Sequence, residues 1–262
     1  MTKNDSWLQI LREWKDWQPD PSRPHHTLSR REILALMGMV MTAAFVGWRR
    51  EWAALSTAAA AALPACVVRP AQTEGPYFID EKLNRSDIRS DPSDGSIKPG
   101  APLRLGFQVS RIDGQSCEPL PNAVVDIWHC DALGVYSDVR DQGFDTRGKK
   151  FLRGYQITNA NGAAEFLTIY PGWYSGRAVH IHFKIRTVSH SGRAHEFTAQ
   201  LYFDESVTDK VHAQTPYNGK GRRSTPNDKD SIFRESGKQL IPVFTKEAQG
   251  YAAKFDIGLQ IT

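Results

Sequence analysis

The chain has 262 residues, 40% hydrophobic and 24% charged, enough for a sizeable buried core and within the ordinary range of soluble globular proteins. Its formal charge of +4 comes from 33 basic and 29 acidic residues dispersed along the whole length. No basic stripe of the kind a nucleic-acid binder presents is formed, so no nucleic-acid partner is expected. The three cysteines, Cys66, Cys117 and Cys130, include no CxxC pair, which excludes the spacing of a structural zinc site.

In chain order, the first feature is Ser29-Arg30-Arg31-Glu32 before an apolar run from Ile33 to Val46. Twin arginines ahead of a moderate apolar segment resemble a Tat export signal. A short membrane anchor or an N-terminal helix packed on the domain are the alternatives, but the run is shorter than the roughly 20 residues of a spanning helix. Arg49, Arg50 and Glu51 then interrupt it. Ala53 to Ala65 reads as a low-complexity spacer. Residues 1–65 are therefore expected to be leader and spacer, and residues 66–262 the functional domain. Membrane contact is expected only through an uncleaved leader. Leu63-Pro64-Ala65-Cys66 is a weak match to a lipoprotein processing site, and a buried or disulfide-bonded Cys66 is the favoured fate. In an exported chain, Cys117 and Cys130, which bracket a short strand and its approach, are the favoured disulfide pair.

Beyond residue 68 the pattern changes to short strand-like runs between Gly, Pro, Asn and Asp turns. Strands are predicted at Leu103 to Ile112, Ala123 to His129, Gly154 to Thr158, Ala163 to Ile169, Val179 to Thr187, Phe197 to Phe203 and Lys254 to Ile261. No long helical period intervenes, so the fold class is all-β, a sandwich with long loops. Ala213 to Asp230 reads as a surface loop.

Chemistry concentrates at His180-Ile181-His182. Strand side chains alternate faces, so His180, His182 and Lys184 point one way, and Ile181, Phe183 and Ile185 the other. Two imidazoles side by side on a rigid strand can ligate one metal; equally, they can simply occupy a wet sheet face. Just upstream, Tyr170-Pro171-Gly172-Trp173-Tyr174 leads to Arg177, and further back Asp126-Ile127-Trp128 runs into Gly134-Val135-Tyr136. The other histidines, His25, His26, His129, His190, His195 and His212, read as solvated or hydrogen-bonded.

Taken together, these segments resemble the intradiol ring-cleavage dioxygenases, the catechol and protocatechuate dioxygenase superfamily. Arg177-Ala178-Val179-His180-Ile181-His182 after Pro171-Gly172-Trp173-Tyr174 matches the family's arginine and His-x-His segment. Gly134-Val135-Tyr136 matches its other tyrosine, Thr198-Ala199-Gln200-Leu201-Tyr202-Phe203 its glutamine strand, and Thr73-Glu74-Gly75-Pro76-Tyr77-Phe78 the segment that opens the domain.

The resemblance implies an intradiol-type β-sandwich with one Fe(III) per chain, held by Tyr136, Tyr174, His180 and His182 plus a water or hydroxide. A catechol and O2 would be the substrates and a cis,cis-muconate-type diacid the product. Tyr174 is assigned as the tyrosine that yields to substrate, Arg177 as the stabiliser of negative charge on the ring, Gln200 as a residue beside the iron, and Thr73, Gly75, Pro76 and Tyr77 as pocket wall. Two phenolates are hard anionic donors that favour the ferric state, whereas the carboxylate of an Fe(II) facial triad is not supplied. The link from Tyr174 to His180 is shorter than in many relatives, which implies an open, permissive pocket. A leader replaces the helical dimerisation region of catechol-specific relatives, so the chain looks closer to secreted single-domain members and no subunit number follows. The rival readings are an iron-free exported binding protein and a zinc hydrolase using the same His pair.

Overall fold

Along Leu103-Arg104-Leu105-Gly106-Phe107-Gln108-Val109 every second side chain is buried, the period of a strand with one face on a core. The same logic builds most of the domain. A computed structural model describes residues 66–261 apart from 115 and 190; the expected export leader and alanine-rich spacer lie outside the described residues, as do His25, His26 and His190.

All seven expected strands form: β1 (Pro102–Asp113), β3 (Val124–Trp128), β6 (Arg153–Ile157), β7 (Ala163–Ile169), β8 (His180–Val188), β9 (Ala194–Tyr202) and β11 (Gly250–Gln260). Four further strands are β2 (Ser116–Pro119), β4 (Arg140–Asp141) and β5 (Phe144–Asp145), too brief to carry a readable period, and β10 (Val243–Glu247), which is as long as β3 but buries none of its residues. One sheet runs β10-β11-β1-β2 with β7 also paired to β1, the second runs β6-β3-β8-β9, and β4 and β5 form a separate hairpin. All these pairings are antiparallel except β1 with β11. The two large sheets face each other, and Phe107 of the first meets Phe183 of the second at 5.3 Å between ring centroids, with Phe255 5.4 Å from Phe183. Each such ring, fully buried, contributes roughly 1.5–3 kcal/mol. The all-β sandwich is therefore the architecture the strand pattern implied.

Two helices, α1 (Glu205–His212) and α2 (Ser231–Ser236), were not signalled by a helical period because both are shorter than a period needs to show. The expected surface loop from Ala213 to Asp230 is corrected: it holds two 3-10 turns, at Tyr217–Lys220 and Asn227–Lys229, and Tyr217, Asn227 and Asp230 are buried. Its prolines and charges hide the fact that Tyr217 donates to the Tyr170 carbonyl at 2.7 Å and receives the Ala101 N–H at 2.9 Å.

The chain from Cys66 to Phe78 crosses the molecule before the first strand begins. Val68 bridges Gly258 of β11, and the Gln72 N–H reaches the Thr198 carbonyl of β9 at 2.8 Å. Its first residue is fastened covalently, and here the expected disulfide is corrected: Cys66 pairs with Cys117, Cα to Cα 5.4 Å, and Cys130 is a free, buried thiol. The reason is the sheet assignment, since Cys117 lies on β2 of the first sheet whereas Cys130 follows β3 of the second, with its sulfur 3.6 Å from the Gly172 carbonyl. Because the bridge spans 51 residues, the loop-closure entropy removed from the unfolded chain corresponds to roughly 4 kcal/mol. Cys117→Ser is expected to lose a large part of that in urea denaturation. Alkylation under native conditions should leave Cys130 untouched in the parent protein; modified Cys130 and an unmodified Cys66–Cys117 stability would contradict this arrangement.

Candidate metal centre

β8 lies in the middle of its sheet, and the register sets Trp128 of β3 and Gln200 of β9 directly opposite His182, with Tyr202 opposite His180. Residues opposite in a ladder share a face, so Trp128, His180, His182, Gln200 and Tyr202 line the outer side of the sheet while Ile181, Phe183 and Ile185 fill the sandwich. The histidine face is not wet: His180 is 2% and His182 1% exposed, which removes the reading of two solvated histidines. Trp128 stacks on His182 with centroids 5.0 Å apart and planes 11° from parallel.

His180 Nδ1 lies 2.6 Å from the Ala178 carbonyl. A carbonyl only accepts, so that nitrogen carries the proton and Nε2 keeps its lone pair. The two Nε2 atoms of His180 and His182 face each other at 3.0 Å. Burial, helped by the Arg177 charge, holds His180 down to about 3, and burial followed by the His180 neighbour holds His182 well below the usual histidine range. Burial therefore favours the neutral form of both imidazoles.

The tyrosines arrive on two turns. In the first, Asp131 Oδ1 accepts from the N–H groups of Leu133 and Val135, both at 3.0 Å, shaping the loop that delivers Tyr136. Gly134, at φ +81°, presses on the second turn so closely that a Cβ would lie 2.1 Å from the Trp173 carbonyl oxygen. Only glycine allows the two turns to meet. Tyr174 then places its hydroxyl 3.2 Å from His180 Nε2, and the rings of Tyr136 and Tyr174 lie 5.8 Å apart, edge to face. The Tyr136 ring is also 6.4 Å from His182. Its hydroxyl is fully buried beside that of Tyr174 and makes no well-formed hydrogen bond. Burial, then the proximity of Tyr174, raises Tyr136 well above 10, and burial raises Tyr174 to about 12. Both phenols are thus protonated unless a cation at the centre offsets the cost of burying the anion.

Thr73 to Phe78 roofs the centre. Gly75, at φ +74°, sits where a Cβ would be 3.2 Å from His182 Cε1. The Thr73 carbonyl accepts from Gln200 Nε2 at 3.0 Å, whereas its hydroxyl is turned back to the Gly75 N–H. Tyr77 lays its ring on Tyr136 at 4.5 Å and donates its hydroxyl to Asp141. Pro76 is exposed. Arg177 donates through Nε to Asp230 Oδ2 at 3.0 Å and through Nη2 to Gln200 Oε1. The structure therefore gathers Tyr136, Tyr174, His180, His182, Arg177, Gln200, Gly75 and Tyr77 at one place. It uses Thr73 through its backbone and gives Pro76 no visible part.

Three contributors were not identified from the sequence. Asp131 carries the first turn, and Asp-x-x-Gly between a strand and Tyr136 is a signal that could have found it. Asp230 caps α2 and holds Arg177; its signal is an Asp before a short apolar run, the N-cap pattern. Arg153, 3% exposed, ties the Ser137 carbonyl beside Tyr136 to the Tyr77 carbonyl of the roof, at 2.6 Å each. No local pattern marks it. His129 is confirmed as satisfied, between the Cys130 carbonyl at 2.8 Å and the Thr168 hydroxyl at 2.7 Å.

Among the described residues no group of three His, Cys, Asp or Glu side chains comes together. A metal held by His180 and His182 would therefore draw its remaining protein ligands from phenols. The convergence of the two Nε2 atoms with the Tyr174 hydroxyl, and the buried, unpartnered Tyr136 hydroxyl beside them, fit such an ion.

Comparison with known proteins gives a consistent result. A family model described as Dioxygenase matches residues 73–218. The chain is 32% identical over 151 residues to the chlorocatechol 1,2-dioxygenase of Pseudomonas sp. (strain P51), covering 52% of this chain and 55% of that one. It is 28% identical over 191 residues to catechol 1,2-dioxygenase 1 of Acinetobacter lwoffii, covering 70% and 55%. The chain spans about half the length of the curated relatives it matches first. Among solved structures, an intradiol ring-cleavage dioxygenase from Tetranychus urticae superposes with a TM-score of 0.64 at 31% identity, covering 74% of this chain and 95% of that one.

Proposed function

This chain belongs to the intradiol ring-cleavage dioxygenase family, and we propose that it is an Fe(III)-dependent enzyme that opens catechol-type rings with O2 to cis,cis-muconate-type diacids. The observation that carries this reading is the meeting of two neutral imidazoles 3.0 Å apart with the Tyr174 hydroxyl and an otherwise unpartnered Tyr136 hydroxyl. Two phenolates and two imidazoles form a hard, dianionic donor set that favours ferric over ferrous iron. Ferric iron, when bound, would withdraw electron density from a chelated catechol so that a ring carbon becomes reactive toward O2.

The chain's own residues do the rest. Tyr174 sits on the exposed turn with Ser175 and Gly176, so it is the ligand that can swing aside, and its Oη is placed to take one of the two catechol protons. His180, pinned through Nδ1, and His182, pinned between Trp128 and Gly75, hold their geometry. Arg177 supplies a fixed positive charge at the ring as negative charge develops there. The roof formed by Gly75 and Tyr77 limits water at the His182 side. The short link from Tyr174 to His180 supports use of several catechols.

Export is the second part of the proposal. The Cys66–Cys117 disulfide supports it, since such bonds persist in oxidising compartments. A sulfur engaged in a disulfide cannot also carry a thioether lipid, so lipidation of Cys66 is not part of the reading.

The test is oxygen uptake by the ferric protein with catechol, protocatechuate, hydroxyquinol and substituted catechols, together with its visible spectrum. A burgundy tyrosinate-to-iron charge-transfer band and ring opening of several catechols are expected. A colourless protein that takes up no iron would instead favour a binding protein on the same scaffold. Activity on a single catechol would refute the permissive pocket.

A further inference from the structure

We infer that Asp230 is the positioning residue that aims Arg177 at the reacting ring. The inference rests on the reading of the site as an intradiol centre and adds to it a residue from a different part of the chain. The Asp230 side chain is 0% exposed, yet both oxygens are fully engaged. Oδ2 accepts from Arg177 Nε at 3.0 Å and from the Ala178 N–H at 2.8 Å. Oδ1 accepts from the Ile232 and Phe233 N–H groups at 2.8 and 3.2 Å, closing the N-terminus of α2. One carboxylate thus joins a short helix to the two residues that lead into the His-x-His strand.

The partners of Arg177 extend this into a closed circuit. Gln200 Oε1 accepts from Arg177 Nη2 and from the Tyr202 hydroxyl, the latter at 3.1 Å. Tyr202 also reaches Gln72 Oε1 at 3.3 Å, and Gln72 Nε2 returns to α2 through the Ile232 carbonyl and the Ser236 hydroxyl at 3.2 and 2.9 Å. The guanidinium plane is held at Nε and at Nη2, so its remaining donors have a set direction. A planar fork fixed on two edges loses little freedom when it meets a developing charge, which is the condition for electrostatic stabilisation to be effective. Asp230 also screens the Arg177 charge from one side. Its own carboxyl is held below the ordinary range because the Ala178 N–H and Arg177 outweigh the effect of burial.

The experiment uses the full chain reconstituted with ferric iron, with Asp230→Asn and Asp230→Ser. Asn has one acceptor oxygen and cannot serve both α2 and Arg177; Ser keeps the helix cap but offers no carboxylate. Both variants should retain iron content and the charge-transfer band of the resting protein. Their kcat should fall by about 10–100-fold, the range typical of outer-shell partners, with KM changed far less. Anaerobic titration with a nitrocatechol, whose absorption reports the charge around the bound ring, should give a shifted spectrum in both. Adding Asp230→Asn to Arg177→Met should cost nothing further, because Asp230 acts through Arg177.

Parental kcat in a folded Asp230→Ser protein, or a loss that multiplies with that of Arg177→Met, would overturn the assignment. If Asp230→Asn does not fold, Asp230→Ser and the nitrocatechol spectrum decide alone; should neither variant fold, the residue is architectural and the assignment is wrong. A parent protein with no ferric band and no ring cleavage would sink the reading of the site, and this inference with it.

Discussion

Tyr136→Phe is expected to abolish iron retention and ring opening while making the iron-free protein more stable. The two effects have one origin. The Tyr136 hydroxyl is fully buried beside that of Tyr174 and makes no well-formed hydrogen bond, and an unsatisfied buried polar group costs on the order of 1–3 kcal/mol. Phenylalanine keeps the ring that packs on Tyr77 at 4.5 Å and faces Tyr174 at 5.8 Å, so the packing survives and only the cost is removed. The iron-free variant should gain about 1 kcal/mol in urea denaturation. Iron affinity should fall by more than ~100-fold, beyond what the loss of an outer-shell partner does, and the charge-transfer colour should weaken sharply. A variant that is less stable without iron and still burgundy would show that Tyr136 serves the fold and not the metal.

Arg177→Met separates charge stabilisation from metal binding. Arg177 is held by Asp230 and Gln200 and makes no hydrogen bond to Tyr136, Tyr174, His180 or His182, so on the proposed reading iron content and colour should persist. Loss of a preorganised cation facing developing negative charge lowers kcat by about 10²–10³-fold, and KM should change little because the charge appears only as the reaction proceeds. Stability should also fall, because Asp230 is left buried without its counter-charge; breaking a buried pair costs roughly 3–5 kcal/mol, and the three N–H groups that still reach Asp230 place this case at the low end. A kcat within twofold of the parent would remove Arg177 from the chemistry.

The contrast between these residues shows what was legible in the chain. His180, His182 and the core residues between them follow from the period of two in a strand, a local property written in adjacent letters. Tyr136 and Tyr174 were reached through their resemblance to family motifs, not by spacing, since nothing in the intervening residues states that two turns meet. They meet because Gly134 lets the backbone of one turn touch the carbonyl of the other. Asp230 was passed over because it closes a segment whose prolines and charges suggest solvent, while its partners lie 52 and 53 residues away. Arg153 lies 76 residues from the Tyr77 carbonyl it holds. The disulfide was misassigned for a related reason. Cys117 and Cys130 are close in sequence, but Cys117 lies on a strand of the first sheet and Cys130 follows a strand of the second, whereas Cys66 reaches Cys117 from a segment 51 residues earlier.

That crossing segment belongs with the sandwich although it precedes every strand. By strand count alone the sandwich starts at Pro102, and an engineer trimming the chain for expression would cut just ahead of it. Such a fragment would keep Tyr136, Tyr174, His180, His182 and both large sheets but would lack Gly75 over His182, the Thr73 carbonyl that orients Gln200, and the Cys66 staple that ties the segment down. A shortened chain meant to keep the centre as it stands must therefore retain the segment from Cys66 onward, well ahead of the first regular element.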